Sequence, residues 1–344
     1  MGLKVEEILK KVNKEAKEEI ITQGLPVYSY TRIPFTSPKM NYITYGGLPL
    51  GRLVEFFGEE GGGKTTTALD MVANFQNLYP DREVFYVDAE NTLDAEWARK
   101  IGVDIDNIKL FQPKTESAEY IFQIIKEMTE SGEVGMWVLD SIPTLTSEKD
   151  LGKDLTDDAR VGGISGILTR FCREIVGPCS KNDCMGIFIN QIRDKINSTV
   201  PGQINTPGGR ALKHYCTNRI QFMKGQYIDE NGKLISRSSG EPNSQKVVVN
   251  MVKTKSCSPK RHLGQYTINY DLGIDYITDL IEQAIYYDII DKAGSWFTAA
   301  DPETGEILME KIQGQNNVNK YIDEHPDIME KIEELVNNSM ENDS

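Results

Sequence analysis

Long apolar runs are missing from this chain. No stretch approaches the ~20 residues that a membrane span needs, and the first 21 residues mix five Lys with five Glu where a secretion signal would carry an apolar core. A cytoplasmic protein without a membrane partner is the expectation. Cysteine is also scarce. The five, Cys172, Cys179, Cys184, Cys216 and Cys257, are odd in number and show no C-x-x-C spacing. Buried or free thiols in a reducing compartment therefore outweigh a disulfide framework or a zinc site, and the three scattered histidines add no metal case. A basic excess is lacking as well, since the net charge is −14. That deficit is local: residues 271–344 carry 18 acids against 4 bases, whereas residues 1–270 carry 34 of each sign. Within the neutral part, Lys246 to His262 contains Lys246, Lys253, Lys255, Lys260 and Arg261 with no acid. Such patches suit polyanion binding, and equally suit solvated faces.

Glycine, by contrast, is concentrated where it has a chemical use. Gly58-Glu59-Glu60-Gly61-Gly62-Gly63-Lys64-Thr65 matches the phosphate-binding pattern G-x-x-x-x-G-K-[ST], between the apolar run Leu53 to Phe57 and a helix-like stretch from Thr66 to Leu78. The glycines let backbone N–H groups converge on phosphates, the helix adds its positive end, Lys64 places a cation on the β and γ oxygens, and Thr65 offers a hydroxyl to Mg²⁺. A nucleoside triphosphate and Mg²⁺ are the expected ligands.

At 344 residues the chain has room for one large α/β domain and smaller attachments. Val5, Ile8, Leu9, Val12, Ala16 and Ile20 fall at helical spacing, an amphipathic helix that packs on its own domain or on a neighbouring subunit. The proline-bearing stretch Leu25 to Pro38, with the alternation Val27-Tyr28-Ser29-Tyr30, reads as an arm containing one exposed strand. From Leu53 to Tyr270, strand candidates alternate with helical segments: Leu53–Phe57, Val84–Val87, Gly135–Leu139, Gly186–Asn190, Arg219–Met223, Lys246–Val252 and Tyr266–Tyr270. That order predicts a mostly parallel sheet covered by helices, with an antiparallel edge from the later strands. The remainder predicts a small C-terminal domain ending in a frayed acidic tail from Ile328 to Ser344.

Ligands of such sheets lie beyond the carboxyl ends of the strands, and three strand ends here carry suitable groups. Met136 to Leu139 delivers Asp140, a carboxylate for Mg²⁺. Val84 to Val87 delivers Asp88-Ala89-Glu90, in which Glu90 is the candidate general base toward water in line with the γ-phosphate and Asp88 is structural. Gly186 to Asn190 delivers Gln191, an amide able to hydrogen-bond a γ-phosphate. Two polar, Gly-bearing stretches follow these strands, Thr146 to Gly166 and Lys195 to Gly209. They are either loops ordered by a ligand under nucleotide control or plain surface loops.

These residues resemble the bacterial RecA recombinase family. The likeness is carried by Gly46-Gly47-Leu48-Pro49-Leu50-Gly51-Arg52, Asp88-Ala89-Glu90 with Leu93-Asp94, Ala98-Arg99-Lys100, Gly102 to Asn107, Leu139-Asp140-Ser141, Phe188 to Arg193, Gly208-Gly209 with Ala211-Leu212-Lys213, and Ala293-Gly294-Ser295-Trp296. The motifs keep family order from about Tyr45 to Ile332. The resemblance implies an α/β fold with a RecA-like P-loop ATPase core, an N-terminal helix-strand arm and a small C-terminal α+β domain. It implies an oligomerisation arm at residues 1–38, an ATPase core with DNA-binding loops at 39–270, and a C-terminal domain with an acidic tail at 271–344. The implied activity is DNA-dependent ATP hydrolysis by a helical filament on single-stranded DNA, which pairs homologous duplex DNA and exchanges strands. Single-strand-binding and loader proteins are implied partners.

By motif position, Glu90 corresponds to the catalytic glutamate, with Lys64 and Gln191 assisting and Gln191 relaying γ-phosphate occupancy to the loop after it. Nucleotide contacts are implied for Glu59, Glu60, Gly61, Gly62, Gly63, Lys64, Thr65, Thr66 and Asp140, for Trp97 against adenine, and for Lys253 and Lys255 toward the ATP of a neighbouring subunit. Thr65 and Asp140 are the implied Mg²⁺ ligands. DNA contacts are implied for Gly162, Thr169, Arg173, Arg193, Lys195, Gly208, Gly209, Arg210 and Lys213. The chain departs from the family at Gly166, where an arginine is expected, in the run His214-Tyr215-Cys216-Thr217-Asn218, and from Asn197 to Asn205, which lacks a bulky apolar side chain. It reads as a divergent member of the sort bacteriophages encode. The alternatives are a hexameric helicase motor on the same core, disfavoured by the N-terminal arm, and a nucleotide-regulated filament that binds no DNA.

Overall fold

The computed structural model describes residues 4–16, 30–152, 163–194, 204–230, 232–236 and 238–343. The chain divides into two units, residues 1–31 and 32–344. The first contains one described helix, Val5–Ala16, whose Glu6 and Glu7 sit in the first turn and Lys14 in the last, the favourable sense for its dipole. Val27 to Ser29, most of the expected arm strand, lie outside the described residues.

The second unit is built on a ten-stranded sheet in the order Gly273–Ile274, Leu263–Asn269, Ser244–Lys253, Asn218–Ile228, Leu53–Gly58, Met185–Gln191, Val134–Asp140, Glu83–Asp88, Ile108–Phe111, with Leu234–Ile235 paired to the Asn218 strand. The Asn218, Leu53, Met185, Val134, Glu83 and Ile108 strands pair in parallel. The Ser244, Leu263 and Gly273 strands form the antiparallel edge. All seven expected strands are present. The Ile108 strand was not expected: its four residues sit at the sheet's edge with Lys109 and Leu110 exposed, so they carry little apolar signal.

Both faces of the parallel strands are buried, which is why they read as continuous apolar runs. Val54, Phe56, Tyr86, Met136, Val138, Ile187 and Ile189 enter one core with the helix Lys64–Leu78. Leu53, Phe85, Val87, Trp137, Leu139 and Phe188 enter the other with the helices Ala118–Glu130 and Gly163–Lys181. Residues ahead of the phosphate loop belong to the same body: Arg32–Ile33 pairs with Leu48–Pro49, and the helix Pro38–Thr44 buries Met40 and Ile43.

A third core joins the helix Tyr276–Tyr286, an antiparallel three-stranded sheet (Ile290–Ala293, Trp296–Ala300, Ile307–Gln313) and the helices Gln315–Glu324 and Pro326–Asn342. The acidic end is thus a helix of 17 residues and not a frayed tail. Its Ile332, Leu335 and Val336 are buried at helical spacing while the acids keep to the other faces. Among the described residues no helix is long and apolar enough to cross a membrane.

Candidate nucleotide site and DNA-facing elements

The phosphate loop begins where the Leu53 strand ends and closes on Gly63, the N-cap of the Lys64 helix at φ 89°. An L side chain is strained there, and a Cβ would lie 2.9 Å from Ile268 Cδ1. Gly61 also has positive φ, so the backbone turns into a concave nest over the helix N-terminus. Lys64 Nζ reaches back across the nest to the carbonyl oxygens of Gly58 (3.2 Å) and Glu59 (2.5 Å). Burial holds its ammonium below the usual lysine range, against the pull of Asp140 and Glu90.

Facing the nest, Asp140 Oδ2 accepts hydrogen bonds from Thr65 Oγ1 (2.8 Å) and Tyr86 Oη (3.2 Å). Burial pushes its carboxyl up to about 6, with Glu90 and Asp88 acting in the same sense. A hydroxyl and a carboxylate this close form an oxygen-donor pair that would suit a hard divalent cation. Glu90 accepts from Ser141 Oγ and, at 3.4 Å, from Gln191 Nε2. Asp88 is saturated by the backbone of Thr92 (3.2 Å) and Leu93 (3.0 Å) and by Gln112 Nε2 (2.9 Å), a fixed strut of the turn.

A cavity of about 510 Å³ opens over the nest, lined by Gly61 to Thr66, Trp97, Lys224, Tyr227, Pro242, Gln245, Ile268 and Tyr270. Trp97 Nε1 lies 3.4 Å from Thr66 Oγ1. Tyr270 Oη donates to Gln245 Oε1 at 3.1 Å, and Gln245 Nε2 to the Gly61 carbonyl at 3.3 Å. Lys64, Thr65, Glu90, Trp97, Asp140 and Gln191 are therefore gathered at one end of the sheet. Glu59 and Glu60 are exposed and do not line the cavity. Tyr86, Ser141, Lys224, Tyr227, Gln245 and Tyr270 escaped the sequence reading. Tyr86 sits in a strand whose apolar run reads as core, Ser141 belongs to the Leu139-Asp140-Ser141 motif without a role of its own there, Lys224 and Tyr227 lie at the far end of the Asn218 strand, and Gln245 and Tyr270 come from or just past the antiparallel edge.

Lys253 and Lys255 stand apart. Lys253 is opposite Arg219, while Gln245 at the cavity is opposite Tyr227. Eight extended residues separate the two ends of this strand, about 26 Å. Lys253 Nζ instead caps the helix Ala211–Tyr215, donating to the carbonyls of Lys213 (2.7 Å), His214 (3.1 Å) and Cys216 (2.7 Å), and Lys255 Nζ reaches His214 O at 3.4 Å.

Of the DNA candidates, Gly162 and Lys195 lie outside the described residues. Thr169 and the exposed Arg173 are four residues apart on the Gly163 helix, on one face. Arg193 is exposed and pairs with Asn205 in a short ladder. Gly208 (φ 86°) packs so closely on that helix that a Cβ would lie 2.5 Å from Leu168 Cδ2, and at Gly209 it would lie 3.1 Å from Ser165 Oγ. Arg210 and Lys213, both exposed, open the helix beyond. The end of one polar stretch therefore rests on the helix that follows the other.

Residues 5–275 match the RecA N-terminal domain, and residues 278–341 match the RecA C-terminal domain. The chain belongs to the RecA family. It is 36% identical over 294 residues to Protein RecA of Lactobacillus acidophilus, covering 86% of this chain and 75% of that one. It is 34% identical over 331 residues to that of Lactobacillus johnsonii, with 95% and 86% covered. With that of Lactobacillus delbrueckii subsp. bulgaricus the identity is 33% over 341 residues, covering 98% and 97%. As a divergent RecA-family member it is a nucleotide-binding, DNA-dependent ATPase and a DNA recombinase that exchanges strands and forms homo-oligomeric filaments.

Proposed function

We propose that this chain polymerises with ATP and Mg²⁺ on single-stranded DNA in the cytoplasm, aligns it with homologous duplex DNA and exchanges strands. The observation that carries this reading is the double hold on Glu90, by Ser141 beside the Mg²⁺ carboxylate and by Gln191 at the start of the Arg193–Gly209 segment. One carboxylate thus touches the hydrolytic and the DNA-facing side of the molecule.

Thr65 and Asp140 fit Mg²⁺, which when bound neutralises phosphate charge. Lys64 and the nest amides hold the phosphates, and Trp97 and Tyr270 offer planar faces for a base. Glu90 takes the proton of the attacking water. Gln191 exchanges its bond to Glu90 for one to the γ-phosphate, and Asn190 is the residue through which this shift reaches the DNA segment. Asn190 Nδ2 is shared between Glu55 Oε1 (3.0 Å) and the Pro207 carbonyl (3.1 Å), and its Oδ1 accepts from Gln191 N (3.0 Å). Lys253 and Lys255 lie too far from their own cavity and complete the site of the next subunit, which the N-terminal helix joins. Thr169, Arg173, Arg193, Arg210, Lys213 and the Gly208-Gly209 backbone, with Gly162 and Lys195, bind DNA phosphates. Single-strand-binding and loader proteins are the expected accessory partners.

The test is strand exchange with ATP, paired with electron microscopy with and without single-stranded DNA. Joint molecules and DNA-dependent helical filaments are expected. Rings, or filaments indifferent to DNA with no exchange, would overturn the reading in favour of a helicase motor or a structural filament.

A further inference from the structure

The nucleotide site contains a second lysine that the phosphate-loop pattern does not include. The parallel pairing of the Leu53 and Asn218 strands ends at Gly58 opposite Phe222, after which the first turns into the phosphate loop and the second runs on past it. Phe222 is fully buried in the core shared with the Lys64 helix. Two residues further, Lys224 projects from the same side of the strand, toward the N-terminal end of that helix. A register shift follows at once between Lys224 and Tyr227, the kind of irregularity that re-aims side chains at a strand end.

The side chain lies on the nest itself. A Cβ on Gly61 would sit 3.1 Å from Lys224 Cε and 3.3 Å from its Nζ, so the ammonium occupies the space that the glycine leaves open. No hydrogen bond or ion pair holds Lys224 among the described residues, and it shares the cavity lining with the Lys64 ammonium. Two like charges beside converging N–H groups form a field that an anion relieves, more strongly the more negative it is.

We propose that Lys224 is a second cation, acting within the same subunit, for the phosphates of the bound nucleotide. It divides the work with Lys64 on one side of the phosphates and leaves the other side to the neighbouring subunit's lysines. This rests on the nucleotide-binding reading above.

The test is direct binding of ATP, ADP and AMP, each with Mg²⁺, measured by calorimetry on the parent, Lys224→Met, Lys224→Arg and, as control, Lys64→Ala. Lys224 is exposed, so unchanged circular dichroism should accompany each of its variants. Lys224→Met should weaken ATP about tenfold or more, ADP less and AMP hardly at all, with Lys224→Arg close to the parent and the loss shrinking in salt. Unchanged ATP affinity, or an equal loss for all three nucleotides, overturns the inference. So does a loss confined to single-stranded DNA affinity at saturating nucleotide, which would make Lys224 a DNA contact. Should Lys64→Ala also bind ATP as the parent does, the phosphate-loop reading itself fails, whereas failure of the Lys224 variants alone leaves it standing.

Discussion

The two ends of the sheet carry lysines in opposite conditions. At the phosphate end, Lys64 is buried and faces Asp140 and Glu90, and Lys224 stands on the nest with no ion-pair partner among the described residues. At the other end, Lys253 spends its hydrogen bonds on three carbonyls of its own chain. The first end is a field waiting for an anion. The second is satisfied as it stands, so its lysines reach a phosphate only by leaving the Ala211 helix. On the proposed function, hydrolysis and its control by a neighbour lie about 26 Å apart in one subunit and meet only between subunits.

The largest effect that would test this division is on turnover. Glu90→Ala removes the acceptor of the water's proton and leaves the nest untouched, so ATP hydrolysis should fall at least ~100-fold with ATP and DNA binding retained. Phosphate release with saturating single-stranded DNA reads it. A variant hydrolysing at the parent rate would remove Glu90 from the chemistry and the phosphate end from its assigned role.

Next in size is the contrast between two cations that face each other across adjacent strands, Arg219 and Lys253. Arg219 donates through Nε to Glu55, and the two side chains are 8% and 0% exposed. Lys253 is partly open to solvent. Arg219→Met strands a buried carboxylate and should cost ~3–5 kcal/mol of stability, whereas Lys253→Ala should cost under ~1 kcal/mol. Denaturant unfolding of both variants is the measurement. Equal losses would mean that Lys253 is structural too.

Much of the phosphate end is legible in the sequence because its carboxylates and its amide lie at or just past the ends of apolar strands, and such strands announce both their existence and their carboxyl ends. Asp140, Glu90 and Gln191 are legible this way, whereas Lys64 and Thr65 are legible from the G-x-x-x-x-G-K-[ST] pattern. Lys224, Tyr227, Gln245 and Tyr270 are not, since Lys224 and Tyr227 lie on the Asn218 strand beyond its parallel pairing and Gln245 and Tyr270 on or just past the antiparallel edge, where nothing local specifies register. The acidic end misled for another reason. Its charge suggested a solvated tail, but Ile328, Ile332, Leu335 and Val336 recur at helical spacing and dock on the third core. Net charge describes the exposed faces of a helix and says nothing of the buried one. Removing the helix Pro326–Asn342 would therefore remove core packing as well as acidic charge.

A third test separates the phosphate end from the rest of the body by pH. Burial raises Asp140 and Asp70 to about 6 and Asp279 to about 7 from 3.8. Each holds its proton more firmly folded than unfolded. Their stabilising contribution is thus complete below about pH 4 and is lost as pH rises through 6 to 7. Asp279 does not line the cavity; it accepts from Ser37 Oγ and from Lys39 N (3.1 Å), and faces Glu282 and the Lys39 side chain. Asp279→Asn should lessen the fall in stability between pH 5 and 7 by ~2–3 kcal/mol. Unfolding curves across that range check it, and an unchanged slope would assign the whole pH dependence to other carboxyls, Asp140 among them.

The smallest effect concerns the satisfied end. Lys253→Ala with Lys255→Ala removes two cations that lie beyond reach of their own cavity, so nucleotide affinity in dilute, unassembled protein should match the parent. In filaments on DNA, the same change withdraws two charges from the neighbour's phosphates, and DNA-stimulated hydrolysis should fall about tenfold, the worth of ~1.4 kcal/mol. Filament length should shorten with it. Mixing the double variant with Glu90→Ala protein tests directly whether one site draws on two subunits. On the proposed function each hydrolytic site takes Glu90 from one subunit and the lysine pair from the next, so mixed filaments should regain activity at junctions where an intact Glu90 meets intact lysines. Recovery above the sum of the two separate activities places the lysines in the neighbour's site. Simple additivity across all mixing ratios would return them to their own subunit, and the two ends of the sheet would then have no division of labour between them.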